Sequence, residues 1–383
     1  MAAALSAARC GASVYLVERA PRPGGTVACA LIHTLAGLYD SRGQLLQGGL
    51  AAELVDRLTR CDPTVRRRRM GRLWVLSVCP NVYRTVTGQW IAEEPNITLV
   101  TGSRVQRVHS AGGLVDHVDI AGRRGPFSLR PRAVVDATGT AEVVGLLDPG
   151  LVQAEVGPSA AGLIFRLRGM EPGALDFPRG AAVVRSLHDA AGNGSLPESC
   201  GKAWIDSGLQ PDEAFVKLFV PLPDDWALRA RRLEITRHAC RIQALVTAFL
   251  AQRSEFAQAR VVQTGRLGIR GGARVRGQYC LTGDDVRRMR KVDDPACRAC
   301  WPIEYWDAER GVSVEYLPED DYYEIPLRAL RVDGLRNLWA AGKCLSADRH
   351  AHASARVAGT CWAMGEAAGK AAALADHQDV PAR

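Results

Sequence analysis

Glu18 closes the run Val14-Tyr-Leu-Val-Glu18, and a carboxylate at that place has a definite use. At the end of the second strand of a nucleotide-binding β-α-β unit it accepts hydrogen bonds from both ribose hydroxyls of an adenosine. It would repel a 2′-phosphate, which excludes NADP held in that way. Arg19 follows directly, and Gly24-Gly25-Thr26 comes shortly after. Two glycines let the backbone lie against a pyrophosphate or ribityl chain and present N–H donors to it. Asp136-Ala137-Thr138-Gly139 leaves an apolar strand as a tight turn, where a nucleotide fold brings backbone to the adenine and diphosphate. An ordinary strand exit has the same look. Asn337 to Gly342 reads as another strand ending in glycine, and a long Ala/Gly helix opens near Arg356-Val357. A helix N-terminus aimed at a flavin pyrimidine ring favours negative charge there, and Arg356 adds to that field.

Candidates for the substrate side are fewer. Arg270, Arg274 and Arg276 lie two and four apart in a glycine-broken strand, so they are expected on one face. They can hold a carboxylate bidentately, or pair with acids at a domain seam. His350 and His352 can carry protons next to the long helix, and His33 is a weaker candidate. Cys297-x-x-Cys300 stands alone, without a second pair at zinc or iron–sulfur spacing, and reads as two incidental loop thiols. No metal site is expected. No Ser-His-Asp grouping or H-E-x-x-H is present.

These residues need an α/β frame. Residues 2–9 read as a helix and 13–17 as a strand. Gly48 to Leu58 reads as an amphipathic helix, with Leu50, Leu54 and Leu58 on one face. Strands are expected at 97–101, 104–108, 114–120 and 132–136. After Asp148-Pro-Gly150 the character changes, with strands at 161–167 and 214–220 and a long helix at 226–252. Two more strands fall near Val261 and Tyr279. Residues 282–325 read as loop-rich, 335–341 as a strand and 356–375 as a helix. Nucleotide-fold signals therefore sit at both ends, with something else between. This layout predicts a first nucleotide-domain part over 1–150, an inserted α+β substrate domain over 151–325, and a closing part over 326–383.

Composition agrees. The 383 residues suit two domains, and 47% hydrophobic content fills a sizeable core. The charge of +8 is carried almost wholly by arginine, since lysine stands only at 202, 217, 291, 343 and 370. Arg66-Arg67-Arg68-Arg69 reads as a solvated helix face or loop rather than a nucleic-acid arm, because no aromatic-studded basic stripe accompanies it. No run is long enough to span a bilayer, and no secretory leader is read. Eleven scattered cysteines point to a reducing cytoplasm and buried thiols.

Together the blocks resemble the FAD-dependent oxidoreductase family, among the glutathione-reductase-like and fumarate-reductase-like flavoproteins. The match is carried by Leu16-Val-Glu18-Arg with Gly24-Gly25, Gly48-Gly49 with Glu53-Leu54, Asp136-Ala-Thr-Gly139, and Gly268-Ile-Arg270 with Arg274 and Leu281-Thr282. Near the C-terminus it is carried by Trp301-Pro-Ile, Tyr323-Glu-Ile-Pro326, Gly342-Lys-Cys-Leu-Ser346, and Ser354-Ala-Arg356-Val357 with Gly365-Glu-Ala-Ala-Gly369. The resemblance implies a Rossmann-like domain binding FAD non-covalently, completed by both chain ends, with the isoalloxazine at the seam to the inserted domain. It implies hydride transfer between a small organic substrate and the flavin, and leaves room for a separate electron donor or acceptor. Glu18 and Arg19 then belong to the ribose, Gly24, Gly25 and Thr26 to the diphosphate and ribityl, and Ala137, Thr138 and Gly139 to the adenine side. Gly342, Arg356 and Val357 would face the flavin. Met1 falls just after the last glycine expected of the family's first strand and G-x-G-x-x-G. An N-terminally truncated domain is therefore expected, and with it the alternative of a non-catalytic remnant that binds no flavin. An NAD-only dehydrogenase would leave the C-terminal strand–Gly–helix closure without a role.

Overall fold

The structure is a computed structural model that describes residues 1–154, 159–223, 225–226, 229–307 and 310–375. Two short parallel ladders carry the nucleotide-fold signals. Val14–Glu18 pairs with Ile97–Thr101, in register from Val14↔Ile97 to Glu18↔Thr101. Val134–Asp136 pairs with Leu338–Ala340. Among the described residues no ladder joins the two pairs. The buried Asn337 carboxamide ties the second ladder to a meander of Arg104–Ala111, Leu114–Gly122 and Gly125–Leu129. It accepts from Val115 N (2.8 Å) and donates to Val115 O (2.9 Å) and Arg132 O (3.0 Å).

The chain ends meet. Helix Ala2–Arg9 lies on helix Ala358–Leu374, and Ser6 Oγ donates to Glu366 O at 2.8 Å. An added Cβ at Gly369 would stand 2.2 Å from Ala3 O, and one at Gly365 would stand 2.8 Å from Ala2 Cβ. The small residues thus let two helices touch, while Ala363, Met364 and Ala368 turn to a core shared with Trp339. Glu366 also reaches helix Gly49–Cys61, accepting from Leu50 N at 2.9 Å in its first turn.

A second sheet runs in the order Trp204–Ser207, Glu213–Leu222, Ser159–Arg168, Arg260–Thr264, with Gly268–Ile269 also on Ser159–Arg168. Period-two alternation splits its side chains between two faces. Leu163, Phe165, Leu167, Val216, Leu218 and Val220 share a core with Val183, Ile242 and Val246, from helices Arg179–Gly192 and Arg229–Ala251. Gly162, Ile164, Phe215, Lys217 and Phe219 point the other way, where Ile164 and Phe215 pack with Leu31 and Phe219 packs with Trp306.

Four expectations need correction. Arg66–Met70 is a strand, not a helix face or loop. It pairs with Leu73–Ser77 around Gly71 at φ +62°, and its arginines are used within the chain. Residues 282–325 are not mainly loop. They hold helix Gly283–Arg287 and strands Pro295–Ala299, Ile303–Asp307, Gly311–Glu315 and Tyr323–Pro326. Their buried Ile303, Tyr323 and Ile325 share a core with Ala351 and Met364. Tyr279 is in no strand. Arg270 to Arg276 is not one strand either: Gly268–Ile269 pairs with Ser159–Arg168, but Arg274–Val275 pairs with Val152–Gln153, and Gly272 at φ +138° divides them. Among the described residues no helix is long and apolar enough to cross a membrane.

Candidate active site at the seam

In a nucleotide fold the ligand lies beyond the carboxyl ends of the parallel strands. Glu18 Oε1 accepts the Ala20 N–H at 2.7 Å, while Arg19 is largely exposed and reaches Glu142 at 3.7 Å. Gly24 has φ +130°, and an added Cβ would come within 2.6 Å of Ala28 Cβ. Gly25, at φ +53°, has nothing within 4 Å of an added Cβ, and Thr26 follows it. Asp136, fully buried, shapes the next turn. It accepts from Thr138 N (2.9 Å) and Thr138 Oγ1 (2.7 Å), and from Val143 N (2.9 Å) and Val144 N (3.2 Å). Gly139 N donates to Cys344 Sγ at 3.0 Å, so Ala137 to Gly139 is pinned to the strand–Gly342 corner. Lys343 Nζ then donates to Ile269 O (3.1 Å) and Gly271 O (2.9 Å), bringing the arginine loop to the same corner.

The residues fit a flavin dinucleotide. The C-terminal helix begins after Val357 without a side-chain cap, and Thr360 Oγ1 in its first turn is buried with no hydrogen-bond partner. Gly359 N in that turn donates to Ala36 O at 2.8 Å, and the Thr360 hydroxyl is the group left to meet an electron-rich ring edge. Gly37 and Gly359 meet backbone to backbone, since an added Cβ on Gly359 would stand 2.5 Å from Gly37 C.

The sheet face opposite the helices builds the other wall. His33 stacks on Phe215 with centroids 4.1 Å apart, and its Nε2 lies 2.9 Å from Asp206 Oδ2, which also binds Arg68. His33 Nδ1 is buried without a partner. Trp306 stacks on Phe219 at 5.6 Å. Lys217 Nζ stands 4.8 Å and the Arg270 guanidinium 4.3 Å from its ring, cation–π distances both. Gly162 leaves Arg270 its place: an added Cβ would lie 3.4 Å from Nη2. Arg356 donates to Arg270 O and to Glu304 O, and Glu304 accepts from Trp306 Nε1 at 2.7 Å. Arg270 Nε is buried with no partner.

Charge is concentrated here. Burial, then Arg270, push the Lys217 ammonium down to about 8. Burial also lowers the Arg270 guanidinium, against the pull of Glu304. Burial raises the Glu304 carboxyl, but Lys217, Arg270, Trp306 and Arg356 more than offset it, so it stays ionised below the usual range. Burial lowers His33, partly countered by Asp206. Burial, then Arg356, Arg274 and Lys343, hold His352 well below its ordinary value. It is buried and meets Lys343 O at 3.0 Å through Nε2.

The structure thus brings Arg270, Gly342 and Arg356 together. Arg274 is buried in its own strand with Nε and Nη1 unpartnered, close enough to His352 to be felt there. His350 is exposed, with its ring 6.4 Å from that of Tyr305. Cys297 is buried and Cys300 half-buried; burial raises both thiols, Cys300 to about 12. All eleven cysteines are free, but Cys10, Cys61, Cys240 and Cys280 are exposed, so the expectation of buried thiols holds only for part of the set. Sequence reasoning passed over Lys217, Glu304, Trp306 and Asp206. An open groove of about 560 Å³, lined by Asp189, Asn193, Leu245 and Phe249, includes none of these residues.

The FAD dependent oxidoreductase family profile matches residues 1–383. No curated protein matches the chain. Among solved structures it is similar to a geranylgeranyl bacteriochlorophyll reductase-like protein from Thermoplasma acidophilum, at 12% identity and TM-score 0.42, over 97% of this chain and 73% of that one. It is similar to the OxyS anhydrotetracycline hydroxylase from Streptomyces rimosus, at 16% identity and TM-score 0.41, over 73% of this chain and 51% of that one. It is also similar to pqsL, a probable FAD-dependent monooxygenase from Pseudomonas aeruginosa, at 14% identity and TM-score 0.41, over 97% and 81%. The family match over the whole length, on a frame whose strand ends suit a flavin dinucleotide, makes this chain a member of the FAD-dependent oxidoreductases, an enzyme whose cofactor is FAD.

Proposed function

We propose that the enzyme moves a hydride between FAD and a small anionic organic substrate held at the seam by Lys217 and Arg270. One observation carries this reading. Lys217 and Arg270, both buried, lie over the Trp306 ring, with Glu304 near both and Asp206 near Lys217. Burial makes both charges costly, so an incoming anion stabilises them, and a guanidinium with an unpartnered Nε is ready to donate. When bound, FAD supplies the two-electron chemistry. The chain does the rest. Glu18 and Arg19 hold ribose, Gly24, Gly25 and Thr26 the diphosphate and ribityl, and Ala137 to Gly139 the adenine side. Gly342, Arg356 and Val357 face the ring. Lys217, with its proton loosened, carries or releases a proton at the substrate. Arg274 reinforces the field, the uncharged His352 steadies Lys343 through its carbonyl, and His350 is the solvent-side proton carrier. The unit expected over 151–325, whose own core runs from Ala161 to Phe256, is the substrate domain, inserted between cofactor-binding parts 1–150 and 326–383. A separate electron donor or acceptor completes turnover.

The test is a titration of FAD-loaded protein with benzoate, an aromatic carboxylate probe, followed in the flavin band near about 450 nm. A saturable shift is expected, weakened roughly tenfold or more by Lys217→Met and by Arg270→Met. A flavoprotein blind to benzoate would sink the anionic seam. A protein that takes up no FAD would sink the whole reading.

A further inference from the structure

We infer that His109, His117 and Asp119 form a binding site for a divalent d-block cation, for which zinc(II) is the best-suited ion. The site lies on the meander, away from the seam. His109 stands directly opposite His117 on the paired strands, and Asp119 follows His117 by two residues, so all three share one face. Val108, Val118 and Ile120 alternate with them into a core that includes Val144 and Leu338. The cation face is therefore the outward one, and the exposed His109 gives an ion access from solvent.

The geometry is close to that of a bound ion. One ligand atom from each residue lies within 4.8 Å of the other two. His117 Nε2 is 2.8 Å from Asp119 Oδ1, and His109 Nε2 is 3.5 Å from Asp119 Oδ2. The two rings meet edge to face with centroids 5.3 Å apart. Bonds of about 2.0–2.1 Å in a tetrahedron set ligand atoms roughly 3.3 Å apart, so side-chain rotations alone open the trio around an ion. Ser128 Oγ, on the third strand, donates to Asp119 Oδ1 at 2.6 Å and steadies the carboxylate, as outer partners of metal ligands do. Two imidazoles and one carboxylate are borderline donors that suit zinc, and they leave a fourth position for water. Without an ion the same trio is a hydrogen-bonded surface cluster, so binding decides between the two.

The test uses the untagged, chelator-treated full chain. Zinc is titrated against a competing indicator, and cobalt(II) is followed by its visible bands, intense only in low coordination. The expected result is one equivalent bound with a Kd on the order of micromolar, weakened roughly tenfold or more by His109→Ala and by His117→Ala. The variants should keep the parent's Tm in chelator and its flavin content, because both side chains face outward. The site is refuted if no zinc binds tighter than about 1 mM, or if binding survives both histidine substitutions together.

Discussion

Lys217 is one of five lysines in a chain that otherwise uses arginine, and it sits inside Ala214-Phe-Val-Lys217-Leu-Phe-Val220. A lone charge in an apolar alternating strand is a signal visible without coordinates, and the Phe-x-Lys-x-Phe spacing already puts the three on one face. What faces them was not visible. Trp306, Glu304 and Arg270 come from segments far along the chain, and only the fold delivers them. The groups around the Lys217 ammonium are Arg270, Glu304 and Asp206, and its pKa of about 8 sets a testable window. Below it the ammonium is charged and helps hold an anion; above it the charge is lost. Benzoate affinity should be flat near pH 7 and fall above pH 8, approaching tenfold per unit if only the charged form binds. In Lys217→Met this break should vanish, and an unchanged break would assign the titration elsewhere.

Elements show what local pattern can and cannot tell. The last helix was legible from its Ala/Gly run, but its partner was not. Gly365 and Gly369 meet the first helix, because the chain ends come together at backbone contact. Gly369→Ala should therefore cost about 1–3 kcal/mol in urea unfolding, since the new methyl meets Ala3 backbone rather than a yielding side chain. Lys370→Ala, on the exposed side, should stay within about 0.5 kcal/mol. Equal costs for the two would mean the helices do not touch. The arginine run failed for a related reason. Arg66–Met70 has no strand propensity of its own, yet Gly71 turns it back onto Leu73–Ser77. Arg67 then lies 4.9 Å over Trp74, and Arg68 binds Ser77 and Asp206. Similarly, the spacing of Arg270 and Arg274 suggested one face, but two strands divided by Gly272 send them to different surroundings.

For the whole molecule, burial of His352 links folding to pH. Its folded pKa is depressed, so between that value and the unfolded pKa of about 6.5 the unfolded chain binds the extra proton. Stability from this group is complete above about pH 6.5 and declines as pH falls below it, with a slope of up to about 1.4 kcal/mol per pH unit. Urea midpoints should drop from pH 7.5 to 5.5, and His352→Asn should flatten that drop. A variant with the parent's slope would show that His352 is not the proton acceptor.

The sequence by itself determined the α/β frame and the cofactor class. Those features are local: a strand, its terminal carboxylate, a glycine turn and a helix start are neighbours along the chain, and their spacing reflects backbone geometry. The cluster proposed to hold the substrate was decided only by tertiary structure. It joins Lys217, Arg270, Glu304 and Arg356 from separate strands and loops, and a charge cluster of that kind exists only once folding has removed these side chains from water and set them against one another.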